Sequence, residues 1–121
     1  MADDHPLYRD GLVRALRTSA ELQVVGEAED GATALALIRR LEPDVAVVDL
    51  RIPKPDGLSI VRDVVRDRLG TRVVIVSGYD DPALVYSALE AGATAFVTKA
   101  TPTREVVEAV ERASRGTATI P

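Results

Sequence analysis

Asp49 closes the run Val45-Ala46-Val47-Val48, and the turn-forming stretch Ile52-Pro53-Lys54-Pro55-Asp56-Gly57 follows it closely. Four apolar residues, three of them β-branched, read as a strand buried on both faces of a parallel sheet. An acid at the carboxyl end of such a strand lies where open α/β sheets place their ligands, so Asp49 is the first candidate for chemistry. Other polar residues also fall at strand ends: Asp3 and Asp4 ahead of the first helix, Ser77 after Arg72-Val73-Val74-Ile75-Val76, and Lys99 after Ala95-Phe96-Val97-Thr98. All of them belong to one rim. There is no Cys and only one His, His5, so no thiolate metal site, histidine pair or Cys–His nucleophile can be built, and His5 reads as structural. The chain also lacks a glycine-rich phosphate loop, so transfer or hydrolysis of nucleotide phosphate is not expected.

The elements that must position these residues alternate along the chain. Tyr8, Leu12, Val13 and Leu16 recur at helical spacing after Pro6, which suits a first turn, and predict a helix to about Thr18. Gln23–Ala28 reads as a short strand, and Asp30 as the N-cap of a helix carrying Ala34, Leu35, Ile38 and Leu41 that stops at Glu42-Pro43. The Asp44–Leu50 strand follows, then a helix on Leu58, Val61, Val64 and Val65. Next come the Arg72–Ser77 strand, a helix entered through Asp80, Asp81 and Pro82 and stopped by Gly92, and the Ala95–Thr98 strand. The last helix carries Val106, Val107, Val110 and Ala113, with Thr101 or Thr103 as its cap. Such alternation implies parallel strands joined by right-handed crossovers.

A chain of 121 residues suits one domain, and with 46% apolar residues but only three Tyr and one Phe its core must be aliphatic. The net charge of −4 argues against this segment neutralising a nucleic-acid backbone by itself. No apolar run approaches membrane-spanning length and the first residues are not a signal peptide, so a soluble cytoplasmic protein is expected.

Five residues on the expected elements in the expected order carry a resemblance: Asp3-Asp4, Asp49, Ser77 and Lys99. Over nearly its whole length the chain resembles the receiver (CheY-like) domain of two-component response regulators. The Asp3-Asp4-His5-Pro6 opening and the Asp49-x-x-x-Pro53-x-x-x-Gly57 loop are most similar to the LuxR/NarL/FixJ-type subfamily. The resemblance implies a flavodoxin-like doubly wound parallel sheet, strand order 2-1-3-4-5, flanked by helices. It assigns Asp49 as phosphoacceptor, with Ser77 and Lys99 contacting the phosphoryl oxygens. It also implies Mg2+ held by Asp4, Asp49 and the Arg51 backbone carbonyl, with Asp3 acting indirectly. That agrees with the ion's preference for a few carboxylates plus waters and phosphate. Ser77 and Phe96 would form the switch pair, with Phe in place of the more common Tyr. Gly78 would leave the site open and Tyr79 would overhang it. The implied partners are a sensor histidine kinase and, through a C-terminal output domain not included here, DNA. Residues 1–116 would be the receiver and 117–121 the start of a linker.

Two departures stand out. Only Met1 and Ala2 precede the acidic pair, and two residues cover about 7 Å where a typical strand covers about 17–20 Å. The central first strand is therefore expected to be missing or truncated. Three readings follow: the sequence starts inside a longer chain, a strand-swapped oligomer or homodimer fills the slot, or the domain is a shortened one whose acids need not reach Asp49. Second, Ala100 follows Lys99 where many relatives have Pro, and a cis bond there would cost about 3 kcal/mol. Two rival functions remain at this stage, a pseudo-receiver that only docks partners and an aspartyl-nucleophile phosphatase. The second is disfavoured by Arg51, where such enzymes usually carry a second acid.

Overall fold

The computed structural model describes residues 1–79 and 81–116; Asp80 and the expected linker at 117–121 lie outside the described residues. Its described residues form five helices and three strands, alternating from α2 onward: α1 (Pro6–Arg17), α2 (Gly31–Leu41), β1 (Val45–Asp49), α3 (Gly57–Arg66), β2 (Arg72–Ser77), α4 (Pro82–Ala91), β3 (Ala95–Thr98) and α5 (Thr103–Ser114). The strands form a parallel sheet in the order β1-β2-β3, with Asp49 opposite Val76 and Ser77 opposite Thr98. All three strands run the same way, so their carboxyl ends form one rim.

Strand alternation sorts the core onto two faces. Ala46, Val48, Val73 and Ile75 pack with Ala34 and Ile38 of α2, Ile60, Val61 and Val64 of α3, and Ala88 of α4. Val47, Val74 and Val76 pack with Leu12 and Leu16 of α1 and Val106, Val107 and Val110 of α5. Helices thus cover both faces, which is why β1 and β2 read as continuous apolar runs. No helix among the described residues is long and apolar enough to cross a membrane.

The expected first strand is reduced to one residue. Ala2 makes parallel bridges to Ala28 on one side and Val48 on the other. Its amide donates to Val47 O at 2.8 Å, and its carbonyl accepts from Asp49 N at 2.9 Å. Behind Met1 and Ala2 lies a cavity of about 480 Å3 lined by Val24, Ala28, Leu37, Val45 and Val47 among others.

Two expectations are corrected. Gln23–Ala28 forms no regular strand and pairs only at Ala28, because a ladder needs a neighbour of matching length and only Met1 and Ala2 lie alongside it. Neither Thr101 nor Thr103 caps α5. Pro102 occupies the N-cap without a side-chain bond, and the Thr101 hydroxyl instead meets the Thr98 hydroxyl at 3.1 Å. The caps on α2, α3 and α4 are the ordinary kind, with Asp30, Asp56 and Asp81 accepting from Thr33 N, Ser59 N and Ala83 N. Lys99-Ala100 is trans, since Lys54-Pro55 is the one cis bond among the described residues.

Candidate functional site

Asp49 is held by the loop that follows it. Ile52, fully buried, anchors that loop and donates its amide to Asp49 O at 3.2 Å, while Arg51 N donates to Asp49 Oδ1 at 3.3 Å. Gly57 closes the loop by donating to Leu50 O at 2.9 Å. A Cβ on Gly57 would stand 2.7 Å from Asp49 O and 2.8 Å from Leu50 Cα, so the approach of α3 to the strand end requires glycine.

The Ala2 bridges place the N-terminal acids. Because Ala2 is bonded to Asp49 N, the next residue emerges beside the Asp49 side chain, and Asp3 N is tied to Ala28 O at 3.0 Å. Asp3 is fully buried, and its Oδ1 accepts from His5 N at 2.8 Å. Asp4 is exposed. His5 Nδ1 lies 3.1 Å from Asp3 Oδ1, 3.3 Å from Asp4 Oδ1 and 3.7 Å from Asp49 Oδ2. These four residues each offer a ligand atom, all within 4.8 Å of one another, and together they could hold a metal ion.

Lys99 reaches in from the end of β3. Its Nζ lies 2.8 Å from Asp3 Oδ2, 3.5 Å from Asp49 Oδ2 and 3.1 Å from His5 Nδ1, and it rests 4.7 Å above the centre of the Tyr8 ring. The Asp3 contact is an ion pair, so the Lys99 ammonium is the cation beside the buried Asp3 carboxylate. Burial and the Asp3 carboxylate push the Asp49 carboxyl above the usual range, partly offset by Lys99. Burial, with Asp3 and Asp49 adding to it, raises the Tyr8 phenol as well.

Ser77 is fully buried at the end of β2, one residue past the partner of Asp49. Its Oγ accepts from Tyr79 N at 3.1 Å, which leaves the hydroxyl proton free to donate. Gly78 has open space around it. Tyr79 is exposed, with the Arg51 guanidinium 4.8 Å from its ring centre. Phe96 sits opposite Ile75, half-buried against the core on the α2–α4 side.

The structure therefore brings Asp3, Asp4, Asp49 and Lys99 together, with Ser77 on the same rim. Two members of the cluster were not legible as such. His5, read as structural, points its ring into the acids, and Tyr8, read as a helix-stripe residue, carries Lys99. The position of His5 directly after the acid pair was the available signal for the first.

The profile of the response regulator receiver domain matches residues 1–111. A transcriptional regulatory protein named NarL in Mycobacterium tuberculosis is 47% identical over 116 residues, covering 96% of this chain and 54% of that protein. LiaR of Bacillus subtilis, also a transcriptional regulatory protein, is 31% identical over 116 residues, covering 96% of this chain and 55% of that protein. Among solved structures, the signal receiver domain of the Mycobacterium tuberculosis NarL superposes with a TM-score of 0.92 at 48% identity, covering 95% of this chain and 93% of that one. A LuxR-family two-component response regulator from Aurantimonas gives 0.88 at 35% identity, covering 95% and 82%. The chain belongs to the response regulator receiver family, and it spans about half the length of the curated relatives it matches.

Proposed function

We propose that this domain is a phosphorylation-controlled switch in which Asp49 accepts a phosphoryl group from a sensor histidine kinase or a small acyl phosphate. The observation that carries the reading is the convergence of Asp3, Asp4 and Lys99 on the Asp49 carboxylate at the rim of the sheet. An Asp49 oxygen attacks phosphorus in line, the bond to the donor breaks, and the donor leaves with the electron pair. Charge on the equatorial oxygens is what the site must neutralise. The donor set fits a hard divalent cation, since Asp3, Asp4 and Asp49 each offer a carboxylate oxygen within 4.8 Å of the others. Asp4, Asp49 and the Arg51 carbonyl would hold Mg2+ directly and Asp3 through water. When bound, Mg2+ would supply positive charge to the transferring group.

Lys99 exchanges its carboxylate contacts for a phosphoryl oxygen, as a mobile point charge can. Ser77 donates its free hydroxyl proton to another. That bond exists only when the oxygen is present, so it shifts the population toward the active state, with Phe96 turning inward behind it. The altered surface comprises β2, α4, β3 and α5. Its readers are the rest of the response regulator: a DNA-binding output domain, and a second copy in a homodimer or strand-swapped oligomer. Incubation with acetyl phosphate and Mg2+, followed by intact mass measurement, separates the alternatives. A stable adduct lost in Asp49→Asn supports the switch. Turnover of free phosphate esters indicates a phosphatase, and neither adduct nor turnover indicates a docking module.

A further inference from the structure

Four groups face the Lys99 ammonium. Asp3 Oδ2 lies 2.8 Å from Nζ, His5 Nδ1 3.1 Å and Asp49 Oδ2 3.5 Å, and the centre of the Tyr8 ring lies 4.7 Å away. The three polar groups belong to the acid cluster, so a cation that enters the cluster competes with the lysine for them. The ring is outside that competition. Its face attracts an ammonium through the quadrupole but offers no oxygen to a hard metal ion. The Lys99 side chain is 17% exposed, and a desolvated cation gains more from a ring than an exposed one does.

The ring is also the fixed partner of the two. Tyr8 stands on α1 and packs half-buried against the cluster of Leu12, Val47, Val74 and Val106, whereas Lys99 is a flexible stem ending in a point charge. We propose that Tyr8 is a positioning residue: its ring retains the Lys99 ammonium beside Asp49 after the carboxylates have turned to a metal ion, which keeps the cation at hand for a phosphoryl oxygen. The inference rests on the reading of Asp49 as phosphoacceptor and Lys99 as partner of the phosphoryl group. Tyr8→Leu keeps an apolar contact with the core but loses the ring. Tyr8→Phe keeps both and loses only the hydroxyl.

The test measures contact and rate separately. The chain has two lysines, Lys54 and Lys99, so labelling lysine with 13C at the ε-carbon gives two methylene signals, and Lys54→Arg assigns them. Without metal or phosphodonor, the ring should move the Lys99 ε-protons upfield in the parent and in Tyr8→Phe, but not in Tyr8→Leu. Saturation with Mg2+, followed on the amide signals of the rim, should leave that shift in place. The rate of phosphorylation by acetyl phosphate with Mg2+, read by intact mass, should fall about fivefold in Tyr8→Leu and return to within about twofold of the parent in Tyr8→Phe. In a Lys99→Met background, Tyr8→Leu should change the rate by less than about twofold, since a residue acting through the lysine has nothing left to act on.

Amide spectra and melting temperatures verify that the variants are folded, and Tyr8→Met replaces Tyr8→Leu if the latter does not fold. The proposal is overturned by equal Lys99 signals in parent and Tyr8→Leu, or by an upfield shift that vanishes with Mg2+. It is equally overturned by a parental rate in Tyr8→Leu, by a Tyr8→Phe as slow as Tyr8→Leu, or by an undiminished effect in the Lys99→Met background. A parent chain that accepts no phosphoryl group overturns the reading of Asp49 instead, and the Lys99 signals still decide whether the ring holds the cation.

Discussion

The Lys99 ammonium lies nearer to Asp3, at 2.8 Å from Oδ2, than to Asp49, at 3.5 Å from Oδ2. Without a metal, the lysine is thus the counter-ion of the buried acid pair. Removing it as Lys99→Met leaves two buried carboxylates uncompensated, and breaking such a pair costs about 3 kcal/mol. Urea denaturation without metal should show this loss. Millimolar Mg2+ should restore more stability to the variant than it adds to the parent, because the cation replaces the missing charge. Equal Mg2+ effects on both would contradict the counter-ion role.

The Arg51 guanidinium lies 4.8 Å from the centre of the exposed Tyr79 ring, next to the open space at Gly78. On the proposed reading of Asp49 as phosphoacceptor, a ring two residues past Ser77 would overhang the phosphorylated site and slow attack by water. Tyr79→Ala should shorten the lifetime of the phosphorylated form several-fold, measured as decay of the adduct mass after removal of donor. An unchanged lifetime would remove Tyr79 from this role.

Gly57 sits where backbone, not a flexible side chain, would meet an added Cβ. Gly57→Ala should therefore destabilise the domain by about 1–3 kcal/mol, as overpacking does. It should also slow phosphorylation, since the displaced atoms belong to Asp49 and Leu50. Parental melting temperature and rate in this variant would show that the loop yields without cost.

Asp67 gives the clearest acid-range signal. The guanidinium groups of Arg66 and Arg39 hold its carboxyl at about 2, below the ordinary 3.8. A folded value below the unfolded one means that the unfolded chain binds the proton more readily. The contribution to stability is therefore present above the unfolded value and is lost as pH falls through about 2. Both partners are solvent-accessible, so the effect on stability is small. Carboxyl 13C titration of Asp67 should show the low midpoint, and Arg39→Gln should raise it.

Much of this arrangement was readable from residue types. Asp49, Ser77 and Lys99 each end an apolar run, so once the strands are parallel their shared rim follows from topology alone. The Asp30, Asp56 and Asp81 caps follow from local chemistry. What escaped depends on contacts distant in sequence. Gln23–Ala28 has strand composition but lacks a neighbour long enough to form a ladder. The choice of Lys99 between Asp3 and Asp49 is set by how Ala2 docks between Ala28 and Val48. His5 could be assigned to the cluster only once Asp3, two residues before it, was known to be buried beside Asp49.

The central claim, that Asp49 is the phosphoryl acceptor, is tested most directly by locating the modification. After reaction with acetyl phosphate and Mg2+, the parent chain should gain the mass of one phosphoryl group, mapped by peptide fragmentation to the segment containing Asp49. Asp49→Asn should gain none. A phosphoryl group on another residue, or equal modification of parent and variant, would contradict the account.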